Sequence, residues 1–178
     1  MTTENMEPEK EQKRLARQIE ALRSGNRTAI LGSLKELRTE GEVAVLPEIF
    51  DLLLDQEDEQ ILTDAANILN DLKDPRAAEV LARAINKKAY EEIRSVLVGA
   101  CWQNGLSYGE YLEEFVEAAI DGDYMTAIEA FTVIEGAIGD VEQARREKAM
   151  EKIRRSMAGM DHQKKILLAE LVRVIDHY

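Results

Sequence analysis

Cysteine occurs once in the 178 residues, at Cys101, so the chain cannot close a disulfide on itself. Histidine occurs twice, at His162 and His177. On one continuous helix these two would lie roughly 22 Å apart, too far to share a metal ion. One cysteine cannot make a zinc set, and the absence of any Glu-x-x-His removes the support for a carboxylate-bridged metal pair in a helical bundle. Asp55, Glu57 and Glu59 imitate the opening of a calcium loop. Gln60 stands where that loop needs glycine, and Ala66 where it needs its closing glutamate. No Gly-x-Ser-x-Gly, phosphate-binding glycine loop or dinucleotide fingerprint occurs. The sequence therefore assigns no metal, no cofactor and no catalytic residue, and a non-enzymatic protein is expected.

Aromatic residues make up only 5 % of the chain and proline occurs three times. That scarcity disfavours a sandwich of strands joined by proline-rich turns. No apolar run approaches the length of a membrane span, and the opening MTTENMEPEKEQK lacks the basic-then-apolar order of a signal peptide. A cytoplasmic protein is the expectation, with no membrane partner. Positive charge is missing from one long interval, since no Lys or Arg falls between Arg94 and Arg145. Ten carboxylates occupy that interval, and residues 40–140 carry 23 acidic against six basic side chains. Such a middle repels phosphate backbones, so nucleic-acid binding there is disfavoured and no nucleic-acid partner is expected. The same acidity also serves as a solvated face that aids solubility.

What the chain does have is helical periodicity almost throughout. Apolar residues 45 % of the whole recur three and four apart in ten segments: 10–24, 27–40, 43–55, 58–72, 75–87, 89–103, 108–120, 124–138, 141–158 and 162–177. Gly41, Gly105, Gly122 and Gly139 punctuate them, and Asp58, Asp74, Asp123 and Asp140 stand where N-caps belong. Residues 1–9 read as a disordered tail. The connections are short, so successive helices must return as antiparallel hairpins.

The hairpins repeat. Ile61, Ile93 and Ala127 fall into register 32 and then 34 residues apart, and Ala65, Leu97 and Phe131 align with them. So do Ile68, Ala100 and Ile134, with Ile49, Leu81 and Phe115 on the preceding helices. A helix pair of this length cannot bury both faces alone, so the pairs must stack. The stretch DEQILTDAANILNDLKDPRAAEVLARAI carries the clearest copy. Asp58, Ile61, Ala65-Ala66, Leu69 and Asp74-Pro75-Arg76-Ala77 resemble the HEAT repeat of the armadillo-type families, most of all the short bacterial phycobilisome-lyase variety. Leu62 replaces the usual arginine of that motif, Asn70 replaces its glycine, and only Arg94 after Ile93 keeps the Val-Arg pair. The resemblance covers residues 43–138. It implies an all-α fold, an α-α superhelix (right-handed solenoid) of about ten helices in about five antiparallel pairs. The domain would span 10–178, with a capping pair at 10–42, repeats over 43–139 and a capping pair at 140–178.

In such solenoids the second helix of each pair lines the concave face, here 58–72, 89–103 and 124–138. Asp64, Asn67, Asp71, Arg94, Ser95, Gln103, Glu129 and Thr132 are then the candidate partner contacts. The sole tryptophan, Trp102, opens a stretch running to Tyr111 that holds two of the five tyrosines. It suits a binding patch, or a plug between repeats; the high average burial of tryptophan favours the plug. Cys101, beside Leu97 and Ala100 on an apolar stripe, reads as a packed thiol. Arg145, Arg146, Lys148, Lys152, Arg154 and Arg155 cluster on one helix with Glu142, Glu147 and Glu151, spacing that suits i to i+4 pairing. They also permit self-association, one copy's basic helix docking on another's acidic middle. The expected function is an adaptor offering an acidic concave surface to a basic or amphipathic segment of a partner protein. A chromophore-lyase-like or other ligand-binding enzyme of the HEAT-like kind, and a self-assembling regulatory subunit, are the alternatives.

Overall fold

The computed structural model describes residues 6–40 and 42–178, and among them every regular element is helical. Ten α-helices follow one another in chain order, grouped in two compact units that divide between Asp71 and Leu72. The all-α fold expected from the periodicity is the fold observed. Residues 1–5 of the expected tail, and the expected cap Gly41, lie outside the described residues. The first helix starts at Met6, ahead of the expected position, with Pro8 in its first turn, where a missing N–H costs no helical hydrogen bond.

The first unit contains α1 (Met6–Arg23), α2 (Arg27–Glu40), α3 (Leu46–Asp55) and α4 (Glu59–Asn70). Within it α1 packs on α2 and α3 on α4, while α1 also meets α3 and α2 meets α4. Leu22, Ile30, Leu34, Leu37, Ile49, Phe50, Ile61 and Leu69 fill its core. Asp58 caps α4 as expected, its carboxylate accepting the backbone N–H groups of Gln60 (3.0 Å) and Ile61 (3.2 Å). Arg27, at the start of α2, donates to Asp58 at 2.7 Å. Arg38, near the end of α2, donates to Asp71 at 3.0 Å. Start therefore lies beside start and end beside end, so α2 and α4 run parallel, as equivalent helices of consecutive hairpins must.

The second unit contains α5 (Arg76–Ala84), α6 (Arg94–Asn104), α7 (Leu112–Asp121), α8 (Tyr124–Ala137), α9 (Gln143–Ser156) and α10 (His162–His177). Two rows result: α5 meets α7 and α7 meets α9, while α6 meets α8 and α8 meets α10. Pairs α5–α6, α7–α8 and α9–α10 join the rows. Fully buried Ala118, Ala119, Ala127 and Ala130 stand where α7 and α8 cross, so their backbones approach closely. Gly122 makes the tight turn between them; a Cβ there would fall 2.5 Å from Thr126 Cγ2 and 2.6 Å from the Ala118 carbonyl. Arg145 of α9 forks onto Glu113 of α7, and Lys152 lies 3.5 Å from Glu117. Those partners are 32 and 35 residues apart in sequence.

Several boundaries differ from the periodicity. Residues Val43–Val45, Lys88–Ile93 and Gly109–Tyr111 are 3₁₀ turns, so α3, α6 and α7 begin later than the apolar pattern suggests. At Tyr90 the backbone leaves helical angles altogether (φ −111°, ψ 18°). The kink still buries Ile93, and Arg94 Nε closes the connection on the Ile85 carbonyl at 2.8 Å. Helix α5 starts at Arg76 because Pro75, already at φ −61° and ψ −22°, forms its cap, while Asp74 accepts the Arg76 N–H at 2.9 Å.

Candidate functional site

Helix α6 stops at Gly105, which takes the left-handed conformation (φ 68°) that other residues adopt only with strain. The chain then turns across the end of α6, and Asn104 holds that turn. Its buried side-chain oxygen accepts the Leu106 N–H (3.0 Å) and the Tyr108 hydroxyl (3.2 Å), and its backbone carbonyl accepts Lys73 Nζ (3.1 Å). Tyr108 is buried and meets Phe115 edge-on, ring centroids 5.2 Å apart. Burial raises the Tyr108 phenol far above its ordinary pKa and pushes the Cys101 thiol up to about 12. Cys101 donates to the Leu97 carbonyl at 3.2 Å, so it is the packed thiol its position on the apolar stripe implies.

One residue on, Trp102 points outward. It is 46 % exposed, which overturns the plug reading: the helical turn that buries Cys101 and Val98 carries residue 102 to the solvent side. Its indole N–H donates to the carboxylate of Glu129 on α8. Thr132 and Gly136 follow Glu129 at helical spacing on the same side of α8, and the Thr132 hydroxyl donates to the Ile128 carbonyl at 3.1 Å. Between Trp102 on one side and Thr132, Gly136 and Ala137 on the other lies a cleft of about 430 Å³. Cys101, Tyr108 and Val133 form its apolar floor, Leu106 and Ser107 one wall, and Asp140 its single charged lining residue. No Lys or Arg lines it.

Of the candidate contacts, the structure brings Trp102, Glu129 and Thr132 together. Gln103 is exposed on α6 but does not line the cleft, and Ser95 is only half-buried near the other end of that helix. Arg94 is engaged by the Ile85 carbonyl. Asp64, Asn67 and Asp71 belong to α4 and its cap in the first unit, where Asp71 already holds Arg38. Ser107 lies in the stretch over residues 102–111 already offered as a binding patch, whereas sequence reasoning missed Gly136 and Asp140, which reach the cleft from the last turn of α8 and the 3₁₀ turn after it. The signal that could have found them is a glycine inside a helical run with no φ requirement, namely Gly136.

The acidic middle is also smaller as a free surface than its composition implies. Glu113 and Glu117 are held by Arg145 and Lys152, and the Arg145 guanidinium keeps the Glu113 carboxyl below the usual range. Asp123 caps α8, accepting the Thr126 N–H at 2.7 Å. Two cations of the α9 cluster thus serve α7, the neighbouring helix of the same row, while Arg155 pairs with Glu151 within the helix. Among the described residues no three His, Cys, Asp or Glu side chains converge as a metal site requires, and no helix is long and apolar enough to cross a membrane. Set against protein-family models and curated proteins, the chain matches none.

Proposed function

We propose that this chain is a HEAT-like helical-repeat adaptor of the cytoplasm, and that the α6–α8 face of its second unit receives a basic or amphipathic segment of a partner protein. The observation that carries this reading is Trp102. An exposed indole pinned by a carboxylate, beside a cleft without a single lining cation, combines the aromatic anchor of a binding hot spot with the charge that attracts a basic chain. The two parallel rows of helices support the repeat reading, because they present Trp102 and Glu129 from neighbouring helices of one row. Glu129 at the Trp102 indole and Asp140 in the cleft favour a cationic segment over a nucleic acid.

Trp102 is the only tryptophan, so its fluorescence reports on this site alone. Titration with a short amphipathic peptide of leucine, alanine, lysine and arginine should shift and saturate its emission at low salt. Raising ionic strength to about 0.5 M should weaken the response, since exposed charges are then screened within a few ångströms. A variant carrying Glu129→Gln and Asp140→Asn should bind weakly at both salts. An emission that ignores the peptide, or that responds equally in the neutralised variant, removes the reading.

A further inference from the structure

The geometry points to an arginine side chain of the partner as the group that enters the cleft beside Trp102, a proposal that rests on the adaptor reading above. Two residues that line the cleft carry no side chain. At Gly136 and at Gly105 an added Cβ would meet nothing within 4 Å. Gly105 has a conformational reason, its positive φ. Gly136 has none: its φ is not positive, it is the last residue but one of α8, ahead of a 3₁₀ turn over Ile138–Asp140, and glycine in a helix is a poorer former than any ordinary residue. Its effect is to keep the mouth of the cleft open opposite Trp102.

The shape and chemistry of that space suit one side chain type best. An entering chain needs an apolar stem to lie over Val133 and Leu106 and a cationic head to answer Asp140, the one charged residue of the lining. One oxygen of Glu129 accepts the indole N–H, while its other oxygen has no hydrogen-bond partner among the described residues. The same bond fixes the indole plane before any partner arrives. A planar guanidinium stacks on such a face while its N–H groups reach the Asp140 carboxylate. An ammonium is a strongly hydrated point charge and uses the indole face less well.

The test uses the full chain and three labelled peptides, identical except at the centre of an amphipathic leucine, alanine and lysine sequence: arginine, lysine or citrulline. Fluorescence anisotropy of the label measures affinity without depending on Trp102. The arginine peptide should bind about tenfold more tightly than the citrulline peptide and at least about threefold more tightly than the lysine peptide. Gly136→Leu should close the cleft and lower arginine-peptide affinity by about tenfold or more, while melting at or above the parent temperature. Gly32→Leu makes a parallel change on α2, where an added Cβ also meets nothing, and should leave affinity unchanged. Trp102→Leu should erase the preference for arginine over lysine. Equal affinity for the arginine and lysine peptides, or full affinity in Gly136→Leu, overturns the arginine proposal and leaves the adaptor reading standing. No binding of any of the three peptides removes both.

Discussion

Lys164 is a buried ammonium, 8 % exposed, and replacing it with methionine tests how the rows of the second unit are held. It sits in the first turn of α10, and its Nζ crosses to the end of α7, donating to the Ile120 carbonyl at 2.6 Å and to the Gly122 carbonyl. These carbonyls lie at the negative end of the α7 dipole and have no helical partner further on. Methionine keeps a stem of similar length and loses the donor. A hydrogen bond from a charged donor contributes about 1.5–3 kcal/mol, and a carbonyl left dry costs about 1–3 kcal/mol. Two terms reduce the sum: Ile120 and Gly122 are only half-buried, so water re-solvates their carbonyls, and the desolvation of the ammonium disappears. The net loss is then about 1–2 kcal/mol, or about 2–8 °C in melting temperature for a chain of this size. Calorimetry would measure it, and hydrogen exchange should show faster opening of the last turn of α7. A pH series sharpens the test. Burial lowers the Lys164 pKa in the folded chain below its unfolded value, so the unfolded chain holds the proton longer. The parent should therefore gain stability over Lys164→Met as pH rises from the folded to the unfolded pKa near 10.4. A methionine variant that melts at or above the parent would refute the capping role; a deficit that shrinks with rising pH would refute the desolvation account.

Two further outcomes follow from groups already placed. Cys101 should stay unreactive toward a disulfide reagent at pH 8, because its thiol is buried and its pKa lies near 12, and should react fully once the chain is denatured; rapid modification of the folded chain would contradict the packing of α6. Asp123 has its pKa lowered, chiefly by the Thr126 N–H it accepts, so its contribution is complete above the unfolded aspartate value near 3.9 and is lost as pH falls toward the folded value. Asp123→Asn keeps a capping acceptor and should flatten the loss of stability between about pH 4 and pH 2 while changing little at pH 7, whereas Asp123→Ala should cost about 1 kcal/mol at pH 7; parallel acid melts of all three proteins check this.

Much of the fold was legible because it is local. Asp58 and Asp123 announce helix starts through short side chains that bond two or three residues on, and Gly105 and Gly122 announce turns through their backbones. Apolar residues at helical spacing identified most of the buried faces, although Val96 of α6 and Ile166 of α10 share that spacing and are exposed. The 3₁₀ turns were not legible, since Val43, Ile93 and Tyr111 continue the apolar pattern of the helices they precede. Only the packed backbone shows where helical angles begin. The site was half legible. Trp102, Glu129 and Thr132 share one face because helical periodicity puts them there, but the side to which Trp102 turns depends on which flank of α6 meets α8. That Glu113 and Glu117 are neutralised by α9 depends on residues more than thirty positions away, beyond the reach of any local pattern.

The two arginine bridges between α2 and α4 act together as a gauge of length. Arg27 and Arg38 stand about 16 Å apart along one helix, and Asp58 and Asp71 about 20 Å apart along the other, at 1.5 Å per residue. Arginine arms absorb that mismatch at two ends but not a larger one. A single residue inserted between either pair would advance one end by about 1.5 Å and turn it by about 100°, pulling one bridge apart while the other held. An insertion in the connection between α2 and α3 would leave both distances untouched. Change in chain length here is therefore confined to the turn between α2 and α3, and the first hairpin hands the second a fixed register.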